Sequence, residues 1–420
     1  MTAFIVAGLL PTLTVVACGL WRHSPACARR EAERIGNMLG VTAAVGKVEY
    51  VRPGVLRYTG VEFSDPETGR VFFCCPLMEV SSQSGHNALG AAASVVLRLT
   101  QPKIDVARFE PIKQLADRLL GRRVDGLESG VELVADEMQV AGIPDLPKLS
   151  QPWVQLQGTR DKTQALIVFQ LSDRPVENPA GVRITRHRAE GVARQEIEFT
   201  TGNAPLPCSL LSLGFRELEV LGPSAEFQGS LACRHDSGGC YGHFEGCLSA
   251  FELDRLMSGR FPHLLSGRAT CVINRAEFRR GRLANATGRL RAESGVIGRS
   301  LIDSCAKYMA IEAGQAHLPP DRVHYTHLDF GFAIAGSQLT LQGLCPDAPP
   351  GTLLVNEYGA ILIQPDSRPR TVASLLVALD PFGGAYVPAT PAAGRVLAYL
   401  PLESSPEPRS AAQPATDSAR

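Results

Sequence analysis

The chain carries no excess charge of either sign: 42 Lys and Arg stand against 42 Asp and Glu. Nothing global therefore steers it towards nucleic acid. Aromatic residues are few, at 6%, and the two Trp are isolated. The interleaving of aromatic and basic residues that single-strand binding uses is missing, so no nucleic-acid partner is expected. The eleven Cys never form a CxxC pair. Most lie among apolar neighbours, as buried structural thiols do, and a disulfide framework is not expected in a chain this long. There is no GxSxG, no HExxH and no P-loop. An enzyme would have to assemble its site from dispersed residues, and the expectation is a non-catalytic protein without a cofactor.

What is present is an ordinary globular composition, 45% apolar and 20% charged over 420 residues, with one unusual end. Ala3–Trp21, "AFIVAGLLPTLTVVACGLW", holds no charge over nineteen residues, close to the ~20 that a spanning helix needs. The expectation is an uncleaved transmembrane anchor over 1–21, with Trp21 at the interface ahead of Arg22 and His23. The alternatives are a buried core helix, a signal peptide cut near Ala26–Ala28, and a lipoprotein box at Val15–Cys18. Both cleavage readings lack a basic residue before the apolar run. Arg22, Arg29, Arg30 and Arg34 favour a cytoplasmic position, but Glu31 and Glu33 lie among them and long domains cross regardless of charge. Charge leaves the orientation open.

Residues 22–40 have helix-forming composition and end at Gly40, a C-cap signal; this predicts a juxtamembrane helix. From Val41 the hydrophobic period changes to two. "RPG" at Arg52–Gly54 and "DPETG" at Asp65–Gly69 read as turns, and "RVFFCCPLMEV" as a returning strand. "ARFEPIKQLADRLLGR" is the clearest internal helix, with Phe109, Ile112, Leu115 and Leu119 on one face. "DRLMSGRF", "GRSLIDSCAKYMAIEAG", "VASLLVALDP" and "PAAGRVLAYLP" are shorter helical segments. In the second of these Leu301, Cys305, Tyr308 and Met309 share a face. Everything else to about 402 alternates strand and turn every eight to twelve residues. The prediction is a mainly β fold over 41–402 with a few short helices, and a disordered Pro/Ser/Ala-rich tail over 403–420.

Two stretches resemble the AsmA-like superfamily, which includes the AsmA and TamB-type envelope proteins. One is the apolar span, the following helix and "VGKVEYVRPGVLRYTGVEFSDPETGRVFF". The other is "FEGCLSAFELDRLMSGRFPHLLSGRATCVINRAEFRRGRLANATGRLRAESGVIGRSLIDSC". The resemblance implies an elongated, curved antiparallel sheet behind an N-terminal transmembrane helix, forming an apolar groove. It implies a single-pass protein of the bacterial inner membrane with most of the chain in the periplasm. It also implies a role in lipid handling or envelope biogenesis, with membrane phospholipid as the partner. The alternative is an anchored β scaffold that binds another envelope protein and has a filled core. Ile197 and Phe199, two apart on "RQEIEFT", lie on one face of a strand and are the candidate groove residues.

The densest chemical cluster is "CRHDSGGCYGHFEGC". Cys233, His235, Cys240, His243 and Cys247 offer zinc-type ligands, but knuckle spacing is absent, and Cys240 and Cys247 fall on opposite faces of a continuous strand. The readings are a plain hairpin with buried thiols, a Cys233–Cys240 disulfide brought together by the "HDSGG" turn, and a zinc site. No metal is expected. In "HYTHLDF", His324 and His327 point to opposite faces and Asp329 follows, so shared ligation is not expected.

Overall fold

The structure is a computed structural model that describes residues 24–84, 93–121, 130–159, 161–187, 194–214, 216–257, 260–314, 318–366, 368–381 and 400. The expected anchor at 1–21, the helix in "PAAGRVLAYLP" and the tail at 403–420 lie outside the described residues. Among the described residues no helix is long and apolar enough to cross a membrane. The fold is mainly β with few helices. The chain divides into two compact units, Met1–Phe251 and Glu252–Arg420.

The first unit opens with helix α1 (Pro25–Leu39). Ser24 caps it by accepting from the Cys27 amide, Pro25 stands where no amide partner is needed, and Gly40 ends it in the left-handed region at φ 68°. Ala28, Ala32 and Gly36 form a buried small-residue stripe that lets the helix lie close on β1 (Thr42–Arg52). The strands β2 (Val55–Ser64) and β3 (Val71–Ser84) follow as an antiparallel meander. Their turns form as the sequence dictates. Asp65 accepts from the Glu67 amide and the Thr68 hydroxyl, and Gly69 takes φ 69°.

A meander alone would continue antiparallel. Here β4 (Ala93–Thr100) and β5 (Lys103–Asp105) lead through a short 3-10 turn into α2 (Phe109–Gly121). The chain returns as β6 (Val131–Ala135) and β7 (Glu137–Ala141), which run parallel to β4 and β5. This corrects the purely antiparallel expectation. A 13-residue helix between strands supplies the length that a parallel crossover requires. The meander then resumes through β8 (Leu149–Gly158), β9 (Lys162–Leu171), β10 (Ala180–His187) and β11 (Arg194–Thr200). It passes the short β12 (Leu206–Pro207) and helix α3 (Cys208–Leu211) and ends in the hairpin β13 (Glu226–Asp236) and β14 (Gly239–Glu252).

The core under α1 departs from period two. Val45 and Val48, Tyr58 and Val61, and Cys75 and Met78 are each three apart, yet all six pack in one cluster. The switch of face falls at Gly46, Gly60 and Pro76. Gly60 sits at φ 63°, a left-handed kink that glycine adopts readily, and the pairing register is the same on both sides of it. Phe63 and Phe73 stack beyond it, their ring centres 5.1 Å apart.

The second unit begins with α4 (Leu253–Met257) and a long hairpin, β15 (Arg268–Arg279) and β16 (Arg282–Ala292). A two-stranded pair, β17 (Gly295–Gly298) with β19 (Arg322–Tyr325), flanks α5 (Arg299–Met309) and the short β18 (Glu312–Ala313). β20 (His327–Ala335) pairs with β16 and with β21 (Gln338–Gly343), and touches β22 (Thr352–Asn356). β23 (Gly359–Ile363), β24 (Arg370–Thr371) and α6 (Val372–Leu379) complete it. α5 is shorter than "GRSLIDSCAKYMAIEAG" because Ala310 turns left-handed at φ 52°. Its buried residues are Leu301, Ile302, Ser304 and Met309, so Ile302 rather than Tyr308 belongs to the packed face.

Candidate functional site: the apolar face of the first unit

The register builds one apolar row across the sheet. It runs from Leu56 through Val80, Leu97, Leu133 and Val154 to Ile167. From Ile167 it continues through Val182, Phe199 and Leu231 to Phe244. Each strand from β2 to β14 that reaches this level contributes one residue. Every residue of the row is half-buried, neither sealed in a core nor fully exposed. A parallel row holds Val131, Leu156, Ala165, Ile184, Ile197 and Cys233. Ile197 and Phe199 therefore share a face, as their spacing predicts, and both lie in these rows. Phe199 also stacks with Phe227, centroids 6.5 Å apart.

The two ends of the face differ. At one end Val106, Val140, Leu149, Leu171, Ala180 and Leu206 close into a buried cluster. At the other the row is polar: Thr163, Arg186, Gln195 and His235 stand opposite one another on successive strands. Helix α2 crosses between these ends. Its Ile112 packs on the closed cluster, and its Leu119 and Leu120 pack on Leu156, Ala165, Val131 and Ile184. Leu120 is the buried residue of α2; Ile112, Leu115 and Leu119, the face read from the sequence, are only half-buried. Arg118 ties the helix back to the Gly40 carbonyl.

The opposite face of the same strands carries alternating charge. Glu49, Arg57, Glu79 and Arg98 stand in one row, with Arg57 and Glu79 paired at 2.7 Å. Arg183 meets Glu198 at 3.2 Å, and the Trp153 indole donates to Glu132 at 2.6 Å. These pairs put charge on that face, where Gln155 is nonetheless fully buried, whereas the apolar face carries α1, with Leu56, Val80, Leu97 and Leu133 packed against the cluster beneath it, and α2.

The Cys/His cluster splits by face. His235 lies opposite Cys240, and Cys233 opposite Gly242, so these three functional side chains share the apolar side. His243 lies opposite Ala232 and Cys247 opposite Gln228, on the other side. Among the described residues no three His, Cys, Asp or Glu are grouped to hold a metal ion. The Cys233 and Cys240 sulfurs are 2.9 Å apart. Burial, with Cys240 close by, pushes the Cys233 thiol up to about 12. In the second unit His324 and His327 are exposed on separate strands. Asp329 is buried instead in an ion cluster, held by Arg289 at 2.7 and 2.6 Å and by Arg291 at 3.1 Å.

One polar cluster had no signal in the sequence. His263, 5% exposed, meets the Ser300 hydroxyl at 3.0 Å through Nδ1 and the Ala378 carbonyl at 2.9 Å through Nε2. A carbonyl only accepts, so Nε2 carries the proton and Nδ1 accepts from Ser300. With one nitrogen committed to the backbone and the ring buried, the imidazole clips α5 to the end of α6.

Comparison with known proteins adds no relative: no family model, no curated protein and no solved structure matches this chain.

Proposed function

We propose that the chain is a non-catalytic lipid-handling protein of AsmA-like type, anchored through Ala3–Trp21, that holds the acyl chains of membrane phospholipid on the apolar face of its first unit. The observation that carries this reading is the half-buried apolar row from Leu56 to Phe244. A monomer in water seldom leaves so continuous an apolar strip incompletely covered unless something apolar binds there. Each methylene buried on it would gain about 0.8 kcal/mol. The polar row of Thr163, Arg186, Gln195 and His235 gives an amphiphile a direction, with the anionic headgroup at that end and the tails towards the closed cluster. A bacterial inner-membrane position with the β units in the periplasm is part of the same proposal. The competing reading is an anchored scaffold in which α2 completes an ordinary core and another envelope protein is the partner.

The test is lipid mass spectrometry on the full chain extracted in mild detergent, with Ile197→Glu and Phe199→Glu compared individually. Both variants should lose most of their co-purified phospholipid, at least five-fold, and melt within a few degrees of the parent. Half-buried side chains on a lipid-facing surface have water or headgroups within reach of a carboxylate. Val61→Glu is the control: Val61 is fully buried, and an unpaired charge there should cost several kcal/mol. A parent protein free of lipid, together with unfolding of both row variants as severe as that of Val61→Glu, would make the face core and leave the scaffold reading.

A further inference from the structure

The tip of the β13–β14 hairpin places two thiols where a bond between them needs little movement. Cys233 and Cys240 are diagonal neighbours on one face, two residues out of direct register. The residue opposite Cys233 is Gly242. A Cβ there would meet the Ala232 carbonyl at 2.5 Å and the Cys233 Cα at 3.1 Å. With no side chain at 242, the Cys233 side chain is free to lean towards the turn. The sulfurs then stand 2.9 Å apart, and closing to a disulfide of about 2.05 Å takes an approach of about 1 Å. Cys247 projects from the opposite face and does not compete.

We propose that Cys233 and Cys240 form a reversible disulfide that staples the hairpin tip, with a low-molecular-weight disulfide such as oxidised glutathione as the oxidant. The Cys240 thiolate, its proton released to solvent, attacks the glutathione disulfide. One sulfur–sulfur bond forms as the other breaks, and one glutathione thiolate leaves. Cys233 then loses its proton and attacks the Cys240 sulfur of the mixed disulfide, expelling the second glutathione. Two protein thiols are oxidised, one glutathione disulfide is reduced to two thiols, and the protons balance. Cys233 enters second because burial disfavours its thiolate. The bond closes a short loop around the turn and ties β13 to β14 beside the polar row of the apolar face. This inference stands independently of the lipid reading.

The experiment equilibrates the full chain over a series of oxidised-to-reduced glutathione ratios, quenches by alkylation and maps tryptic peptides. Trypsin cuts after Arg234, so the bond appears as a link between two peptides, and Cys247 lies in the same fragment as Cys240. The linked pair should dominate at oxidising ratios and disappear with dithiothreitol. Cys233→Ser and Cys240→Ser should each lower it at least ten-fold, whereas Cys247→Ser should leave it unchanged. The oxidised protein should melt roughly 4–8 °C above the reduced one. Free alkylation of both thiols throughout the series would overturn the proposal, as would a link that survives Cys240→Ser and is lost in Cys247→Ser. Fragmentation of the parent's linked peptides locates the bond even if a variant folds poorly.

Discussion

Gly295→Ala is expected to destabilise the second unit by about 3 kcal/mol, although it adds a single methyl group. Gly295 pairs with Tyr325 across β17 and β19. An added Cβ would run into the Ser266 carbonyl oxygen and the Tyr325 ring, 2.7 Å from its Cζ. Neither neighbour is free to yield. Ser266 is fixed on both sides by Val296, its amide donating to the Val296 carbonyl at 2.8 Å and its hydroxyl accepting from the Val296 amide at 3.1 Å. Tyr325, 2% exposed, donates its hydroxyl to the Ser266 carbonyl at 2.6 Å, and burial pushes that phenol up to about 12, so it stays a neutral donor. Overpacking against an immovable wall costs about 1–3 kcal/mol, and straining the buried hydrogen bond adds about 1–2 kcal/mol. Tyr325→Phe alone should cost only about 1–2 kcal/mol. The double variant should cost less than the sum by at least about 0.5 kcal/mol, because one hydroxyl takes part in both losses. Urea unfolding of the four proteins measures this cycle. A Gly295→Ala protein within about 0.5 kcal/mol of its parent, the range of an ordinary surface change, would show that the strands part freely here.

The parts of this fold that the sequence announced are those whose chemistry is local. Gly40 stops α1 because a left-handed residue without Cβ is cheap there. Asp65 and Gly69 make their turn from atoms within five residues of each other. Strand identity followed from period two. The crossover was not legible, because nothing in "ARFEPIKQLADRLLGR" says whether the next strand returns beside β4 in parallel or folds back against it. That choice is made by β4 and β8 pairing on either side of β6. Nor was the change of face at Gly46, Gly60 and Pro76, since a stretch such as Tyr58–Val61, with Gly60 inside it, reads as a break in alternation until three strands are seen to break together.

The candidate site divides the same way. The shared face of Ile197 and Phe199 follows from their spacing alone, and the separation of His243 and Cys247 from Cys233 follows from odd and even counting along a hairpin. The row from Leu56 to Phe244 is different. Apart from Phe199, each of its members is an unremarked apolar residue in its own strand, and the strip exists only because nine registers agree. The helix face on α2 was read correctly as apolar, yet Leu120, off that face, is its buried residue. The end of α2 presses both Leu119 and Leu120 onto the sheet. His263, Ser300 and Ala378 come from three distant segments, and no spacing rule reaches across them.

That clip gives the second unit an acid sensitivity of its own. Burial holds the His263 imidazole below its ordinary value, outweighing the Ala378 hydrogen bond and the nearby Asp380 charge, which both favour the protonated form. The unfolded chain therefore takes up this proton at a higher pH than the folded one does. Stability from the neutral clip is complete above about pH 6.5 and is lost as pH falls from there towards the lowered folded value, the unfolded state binding more protons throughout that window. Between pH 7.5 and 5.5 the melting temperature of the second unit should fall, and most of that slope should vanish in His263→Gln. The Gln amide still has a donor for the Ala378 carbonyl and an acceptor for Ser300, but it does not titrate. At pH 7.5 His263→Gln should stay within about 1.5 kcal/mol of the parent. His263→Ala should lose about 3 kcal/mol, since it leaves the buried Ala378 carbonyl without its donor, removes the Ser300 contact and opens a cavity beside α6. Differential scanning calorimetry across that pH range separates the outcomes. If His263→Gln keeps the parent's full slope, other titrating groups set the acid limb and the clip does not. If His263→Ala melts like the parent at pH 7.5, the two hydrogen bonds contribute nothing to holding α5 against α6.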